Sequence, residues 1–170
     1  MILHPLETER FLIRPLSQED DYSTYLGWMR NPYKFPYIET ASEDTTELEL
    51  KNYVRDAAES SSALHCGIFL RHQGNHVGNI KFHDLDFVAR SSFVGFLIGN
   101  REWQNRGVAK EVFEACSSHL YAKFNIHKFY LGVAEDHHQA IRAYMKMGFQ
   151  KQREQSVRRE NTILMTYELG

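Results

Sequence analysis

A chain of 170 residues and 19.9 kDa is long enough to bury one sizeable core and short for more than one domain, so a single domain over residues 1–170 is expected. Its 42% hydrophobic and 25% charged residues are those of a soluble globular protein, and a net charge of -2 excludes a global basic field for nucleic acid or an anionic membrane. No apolar run is long enough to span a bilayer, and the opening MILHPLETER lacks the basic-then-apolar layout of a secretory signal; the cytoplasm is the expected location.

In chain order, RFLIRPL (10–16) alternates as a strand that stops at Pro15. Ser17 reads as an N-cap, with Asp20 at the third helical position, for a helix running to about Met29. The segment 31–42 (NPYKFPYIETAS) holds two prolines and three aromatics, an ordered loop packed on something. Ser42 to Ala58 is a second helix, with Leu48, Tyr53 and Val54 among its few apolar positions. LHCGIFLR and NHVGNIKFHDL are strands joined by a tight turn at Gln73-Gly74-Asn75. Ser91 to Gly99 is a more apolar strand, suited to the centre of a sheet. Residues 107 to 123 carry Val108, Val112, Cys116 and Leu120 at four-residue spacing, the apolar stripe of a helix. Lys128 to Val133 is a short strand, and Asp136 to Met147 a helix stopped by Gly148. Two strands, 149–155 and 162–169, close the chain. The order predicts a mixed α/β (α+β) fold. Cys66 and Cys116 fall in a strand and a helix and read as buried apolar residues without a disulfide.

Within WQNRGVAK (103–110), Gly107 precedes the 107–123 helix. A helix N-terminus presents unpaired N–H groups and the positive end of the helix dipole, so it favours anions. Arg106 and Lys110 add positive charge, and Gly107 and Ala109 keep the approach open. These are the ingredients of a diphosphate site, and they are equally those of an ordinary strand-to-helix turn. Neither a Walker-type loop nor G-x-G-x-x-G is present.

Taken with AIRAYMKMGF (140–149), the motif Gln104-x-x-Gly107-x-Ala109 resembles the GCN5-related N-acetyltransferase superfamily over essentially the whole chain. The segments ERFLIRPLSQED and YLGWMRNPYKFPYIET look like its branch of ribosomal-protein N-terminal and amino-sugar acetyltransferases. The resemblance implies a mixed, mostly antiparallel sheet, splayed in the middle and flanked by helices. It implies acetyl-CoA as cosubstrate, its pyrophosphate on the amides of Arg106, Gly107, Val108, Ala109 and Lys110, with Gln104 opening the motif. Its pantetheine would pair with Phe96, Leu97 and Ile98, as a peptide strand pairs with a sheet edge. Tyr144 matches the acid that assists the departing thiolate. The implied acceptor is a protein α-amine or other small primary amine, or an amino-sugar nucleotide; a non-catalytic acetyl-CoA-binding module is the competing class, and a homodimer is left open.

Two positions depart from the family pattern. His137, followed by His138, stands where an asparagine often contacts pantetheine; imidazole can hold the cofactor or merely neighbour the helix cap. Phe93 stands where a strand glutamate often serves as base, leaving His83, Asp84 and Glu102 as candidates. An α-amine or amino-sugar amine of pKa about 8 needs less help from a base than lysine at about 10.4. His72 and His76 flank the Gly74 turn and read as solvent-exposed, with no metal site expected. Arg158 and Arg159 are either a charged hairpin tip or a rim for an anionic acceptor. The aromatic loop Trp28 to Tyr37 is either an acceptor wall or packing, and the acids of 39–49 a solvated helix start.

Overall fold

The computed structural model describes residues 4–152 and 161–170. Its strands are β1 (Leu6–Glu7), β2 (Phe11–Pro15), β3 (Leu64–Leu70), β4 (His76–Asp86), β5 (Ser91–Ile98), β6 (Lys128–Ala134), β7 (Gln150–Lys151) and β8 (Thr162–Glu168). Its helices are α1 (Ser23–Met29), α2 (Glu47–Glu59), α3 (Val108–Phe124) and α4 (His138–Met147). The strands form one sheet in the order β1-β2-β3-β4-β5-β6-β8-β7, antiparallel except for the β5–β6 pair. The mixed, mostly antiparallel sheet flanked by helices is therefore the one expected, and β5 is an inner strand of it.

Three helix starts differ from expectation. Ser17 caps nothing: its N–H donates to Asp20 Oδ2 (2.7 Å), and Asp20 is also gripped by both Nη atoms of Arg14. That turn satisfies the carboxylate, so α1 waits until Ser23. The second helix starts at Glu47, because Thr46 and Glu49 form a reciprocal capping box; Thr46 Oγ1 accepts from the Glu49 N–H and Glu49 accepts from the Thr46 N–H. Its buried residues are Leu50, Val54 and Ala57, whereas Leu48 and Tyr53 are exposed. Helix α4 begins two residues after Asp136, with Gly148 ending it as expected. β1, only two residues long, had no periodic signal to find.

The sheet has two covered faces. On one, Val108, Val112, Cys116 and Leu120 of α3 are all buried against the strands, so the four-residue spacing is the core stripe. Phe113 of the same helix meets Phe96, Phe129, Phe149 and Tyr167 at centroid distances from 5.1 to 6.1 Å. Each fully buried ring of this kind is worth about 1.5–3 kcal/mol. On the other face α1 and α2 bury Tyr22, Tyr25, Met29, Leu50 and Val54 against Phe69 and Leu97 of the sheet. Cys66 and Cys116 are both free and buried, and burial pushes both thiols up. Among the described residues, no helix is long and apolar enough to cross a membrane.

Candidate active site

The seam between β5 and β6 closes only at Ser91–Lys128, Ser92–Phe129 and Phe93–Tyr130. Beyond Phe93 and Tyr130 the two strands part, so among the described residues Val94–Ile98 has no strand partner on that side. β5 is held by β4 and β6 by β8 up to their C-terminal ends, which keeps the wedge between them open. Phe96, Leu97 and Ile98 lie in the open part of β5. Both strands lead from the mouth of this wedge into a helix, β5 to α3 and β6 to α4. The two helix starts are tied together by Gln139 Nε2 donating to Asn105 Oδ1.

Gly107 is the N-cap of α3 at φ +73, a left-handed conformation that glycine adopts without strain. No side chain caps the helix, so the amides of Gly107, Val108, Ala109 and Lys110 are without intrahelical partners. A Cβ on Gly107 would meet a single atom within 4 Å, Arg10 Nη2 at 3.8 Å, which leaves open space above the turn. Arg106 and Lys110 are exposed around it, and the Arg106 guanidinium lies 5.9 Å from the Trp103 ring centroid. Gln104 does something else: its Nε2 donates to the Ile98 carbonyl at 2.8 Å, bracing the end of β5 against the turn.

Arg10 is a neighbour that sequence reasoning missed. It packs over Trp103 at 5.8 Å and pairs with Glu111 at 2.7 Å, which anchors the first turn of α3 to the start of β2. No local pattern joins residues so far apart in the chain.

Tyr144 packs its ring against Phe96 at 5.9 Å and Phe149 at 6.1 Å, so α4 lays this side chain along the open part of β5. Burial pushes its phenol up to about 12. No hydrogen bond engages its hydroxyl among the described residues. His137 is the N-cap of α4 without a side-chain cap bond, and its ring stacks on Tyr37 with centroids 3.8 Å apart and planes 11° from parallel. Burial holds this imidazole below its usual range. The loop after α1 thus reaches across to the mouth of the wedge, although Tyr33 of the same loop stands in solvent.

On the α1–α2 face, His83 stacks on Phe93 at 5.5 Å, beside the point where the strands part. In a regular strand Asp84 would face the other side of the sheet. At φ +49, in the irregular stretch between His83 and Asp86, its Oδ2 instead comes to 2.9 Å from His83 Nδ1. A carboxylate only accepts, so Nδ1 donates, and Nε2 of the neutral ring is left as a proton acceptor. Glu102 is exposed in a 3₁₀ turn at the opposite end of β5. His76 is not solvent-exposed as expected: it stacks on Phe69, lies tilted against Trp28 and bonds Asn79 Oδ1, and burial lowers its pKa. His72 is exposed, and no group of three or more metal-ligating side chains occurs among the described residues. Arg158 and Arg159 lie outside the described residues.

Comparison with known proteins agrees with this geometry. The family model of the acetyltransferase (GNAT) domain matches residues 10–150. An uncharacterized N-acetyltransferase of Bacillus subtilis, YoaA, is 26% identical over 149 residues, covering 86% of this chain and 83% of that protein. The spermidine N(1)-acetyltransferase of Escherichia coli K12 is 25% identical over 148 residues, covering 86% of this chain and 71% of its own. The structure of RimL, a ribosomal L7/L12 α-N-protein acetyltransferase in complex with coenzyme A, superposes with a TM-score of 0.82 at 11% identity, covering 98% of both chains.

Proposed function

Because the chain belongs to the acetyltransferase (GNAT) domain family, we propose that it transfers acetyl from acetyl-CoA directly to a primary amine, with both bound at once. The observation that carries this reading is the open β5–β6 wedge with the uncapped start of α3 at its mouth and Tyr144 along its side. Acetyl-CoA supplies an activated acetyl thioester. The residues fit it: the amides of Gly107, Val108, Ala109 and Lys110 lack intrahelical partners, and a Cβ on Gly107 would stand in the space beside them. Beyond Phe93, the backbone groups of β5 that point away from β4 are open to an amide-bearing arm, while Gln104 keeps Ile98 in place. Tyr144 donates a hydrogen bond to the departing sulfur.

The nucleophile is a neutral amine, a protein α-amine or a small primary amine, and His83 Nε2 takes the proton released when its nitrogen forms the amide bond. Asp84 orients the ring for this. The dyad stands in for the carboxylate that Phe93 replaces. Mixing the protein with acetyl-CoA and a panel of amines, and following free thiol, is expected to show amine-dependent release; coenzyme A binding without turnover on any amine would defeat the proposal. His83→Gln is expected to lower kcat/KM about ten-fold at pH 7, below the roughly 10²–10⁴-fold of well-enclosed general bases because the group is exposed. The loss should shrink only as rising hydroxide concentration takes over removal of that proton. A pH–rate profile unchanged from wild type removes His83 from the reaction.

A further inference from the structure

We infer that Lys81 makes the acceptor cleft a receptor for primary amines that carry an anionic group, a carboxylate or phosphate, a few bonds from the nitrogen. This rests on the acetyl-transfer reading for the location of the amine, and on the following geometry for its chemistry. Cross-strand register places His65, Lys81 and Gly95 in one row of the sheet, with His83 and Phe93 in the next. These side chains share the α1–α2 face, because Phe69 and Leu97, at alternate positions on the same strands, pack beneath those helices. Gly95 is exposed, and a Cβ there would find nothing within 4 Å, so the floor has an open well beside the point where β5 and β6 part. Lys81 is its direct neighbour across the strand pair.

The Lys81 ammonium is held in place over this floor. It donates to Tyr53 Oη at 2.7 Å and lies 3.9 Å from the Tyr53 ring centroid. No carboxylate lies within ion-pair distance of it among the described residues, and only one of its three N–H donors is used. None of the floor residues from β3, β4 and β5 just named is acidic. Of the surrounding acids, Asp84 is turned to His83. Glu49 is engaged by the Thr46 N–H and hydroxyl, in a neighbouring pocket of about 320 Å³ that it lines with Asp44, Tyr25 and Tyr53. A diamine seated over Gly95 would bring its second cation toward a fixed cation, whereas an anionic group would meet two unused N–H donors. The acceptor class so defined differs from that named for the spermidine-acetylating relative.

The test uses four probes of similar length: β-alanine, 3-aminopropyl phosphate, n-propylamine and 1,3-diaminopropane. Binding to the protein–coenzyme A complex is followed by calorimetry, and kcat/KM by thiol release. Wild type is expected to favour the better anionic probe over the diamine by about ten-fold or more, the screened effect of one partly exposed charge. Comparison of the carboxylate and the phosphate then tells which anion is meant. Lys81→Gln should erase the preference, Lys81→Arg keep it, and Lys81→Glu reverse it. Tightest binding of the diamine by wild type, or an unchanged order in Lys81→Gln, overturns the inference. An order that holds in binding without any thiol release supports it while refuting acetyl transfer.

Discussion

Gly107→Val is expected to weaken acetyl-CoA binding by at least about 100-fold while the chain stays folded. The turn residue sits at φ +73, where a β-branched side chain is strained by about 1–3 kcal/mol. That is a tolerable fraction of the ~5–15 kcal/mol by which domains of this kind are stable. Within the protein the new Cβ meets only Arg10 Nη2 at 3.8 Å, so nothing packed is displaced. The damage falls on the ligand. A charged hydrogen bond from a backbone amide to a phosphate is worth about 1.5–3 kcal/mol, and two displaced together account for the loss. Calorimetric titration with coenzyme A, beside a thermal melt, separates the two effects. Gly107→Ala should lie between wild type and valine. Wild-type affinity in the valine variant would leave Gly107 a turn residue and nothing more.

Tyr144→Phe is expected to lower kcat by about 10²–10³ with coenzyme A affinity changed only a few-fold, the size of effect seen when one donor to a developing negative charge is removed. The ring contacts with Phe96 and Phe149 survive the change, so the fold and the wall of the wedge are kept. What is lost is one hydroxyl that makes no hydrogen bond among the described residues. Its pKa, raised by burial to about 12, fixes how it acts. The group is protonated, and therefore a donor, at every pH below that value, so its ionisation should put no alkaline limb on the rate profile up to about pH 10. A free thiol, with pKa about 8.5, is a stronger acid than a free phenol at about 10, and burial beside the sulfur raises both, so full proton transfer from the phenol to the thiolate is uphill. In the proposed reaction Tyr144 therefore stabilises the departing sulfur by hydrogen bonding, and the thiolate takes its proton later from solvent. Single-turnover measurement of thiol release reads this step directly. A phenylalanine variant with undiminished kcat would take Tyr144 out of the chemistry.

Local patterns determined much of the framework. The Val108–Leu120 stripe had to face a core, because one side of a helix repeats every three to four residues, and all four positions are buried. Gly107 and Gly148 marked the start of α3 and the end of α4, since both sit in backbone conformations that suit glycine. The Gln104–Ala109 and Ala140–Phe149 motifs identified the two helices that border the wedge. Element starts were less legible where two caps competed: Asp20 went to Arg14, and Thr46 outdid Ser42 because Glu49 completed its capping box.

The candidate site's inner geometry was decided by tertiary structure. That β5 and β6 part after Phe93 and Tyr130 depends on β4 and β8 pulling them to opposite sides, which neither strand's own sequence records. His137 meets Tyr37 and Arg10 meets Glu111 across about 100 residues of chain. His76, polar and beside a turn, is half-buried because Phe69 and Trp28 lie against it. Gln104 belonged to a recognisable motif, yet its bond to the Ile98 carbonyl exists only once the chain has turned back on itself. Periodicity tells a side chain which face of its own element it occupies; what stands opposite is set by how the elements pack. The sequence by itself therefore specified the elements, the core stripe of α3 and the glycine turn. Packing alone opened the wedge, paired His83 with Asp84, and set Lys81 beside the empty space over Gly95.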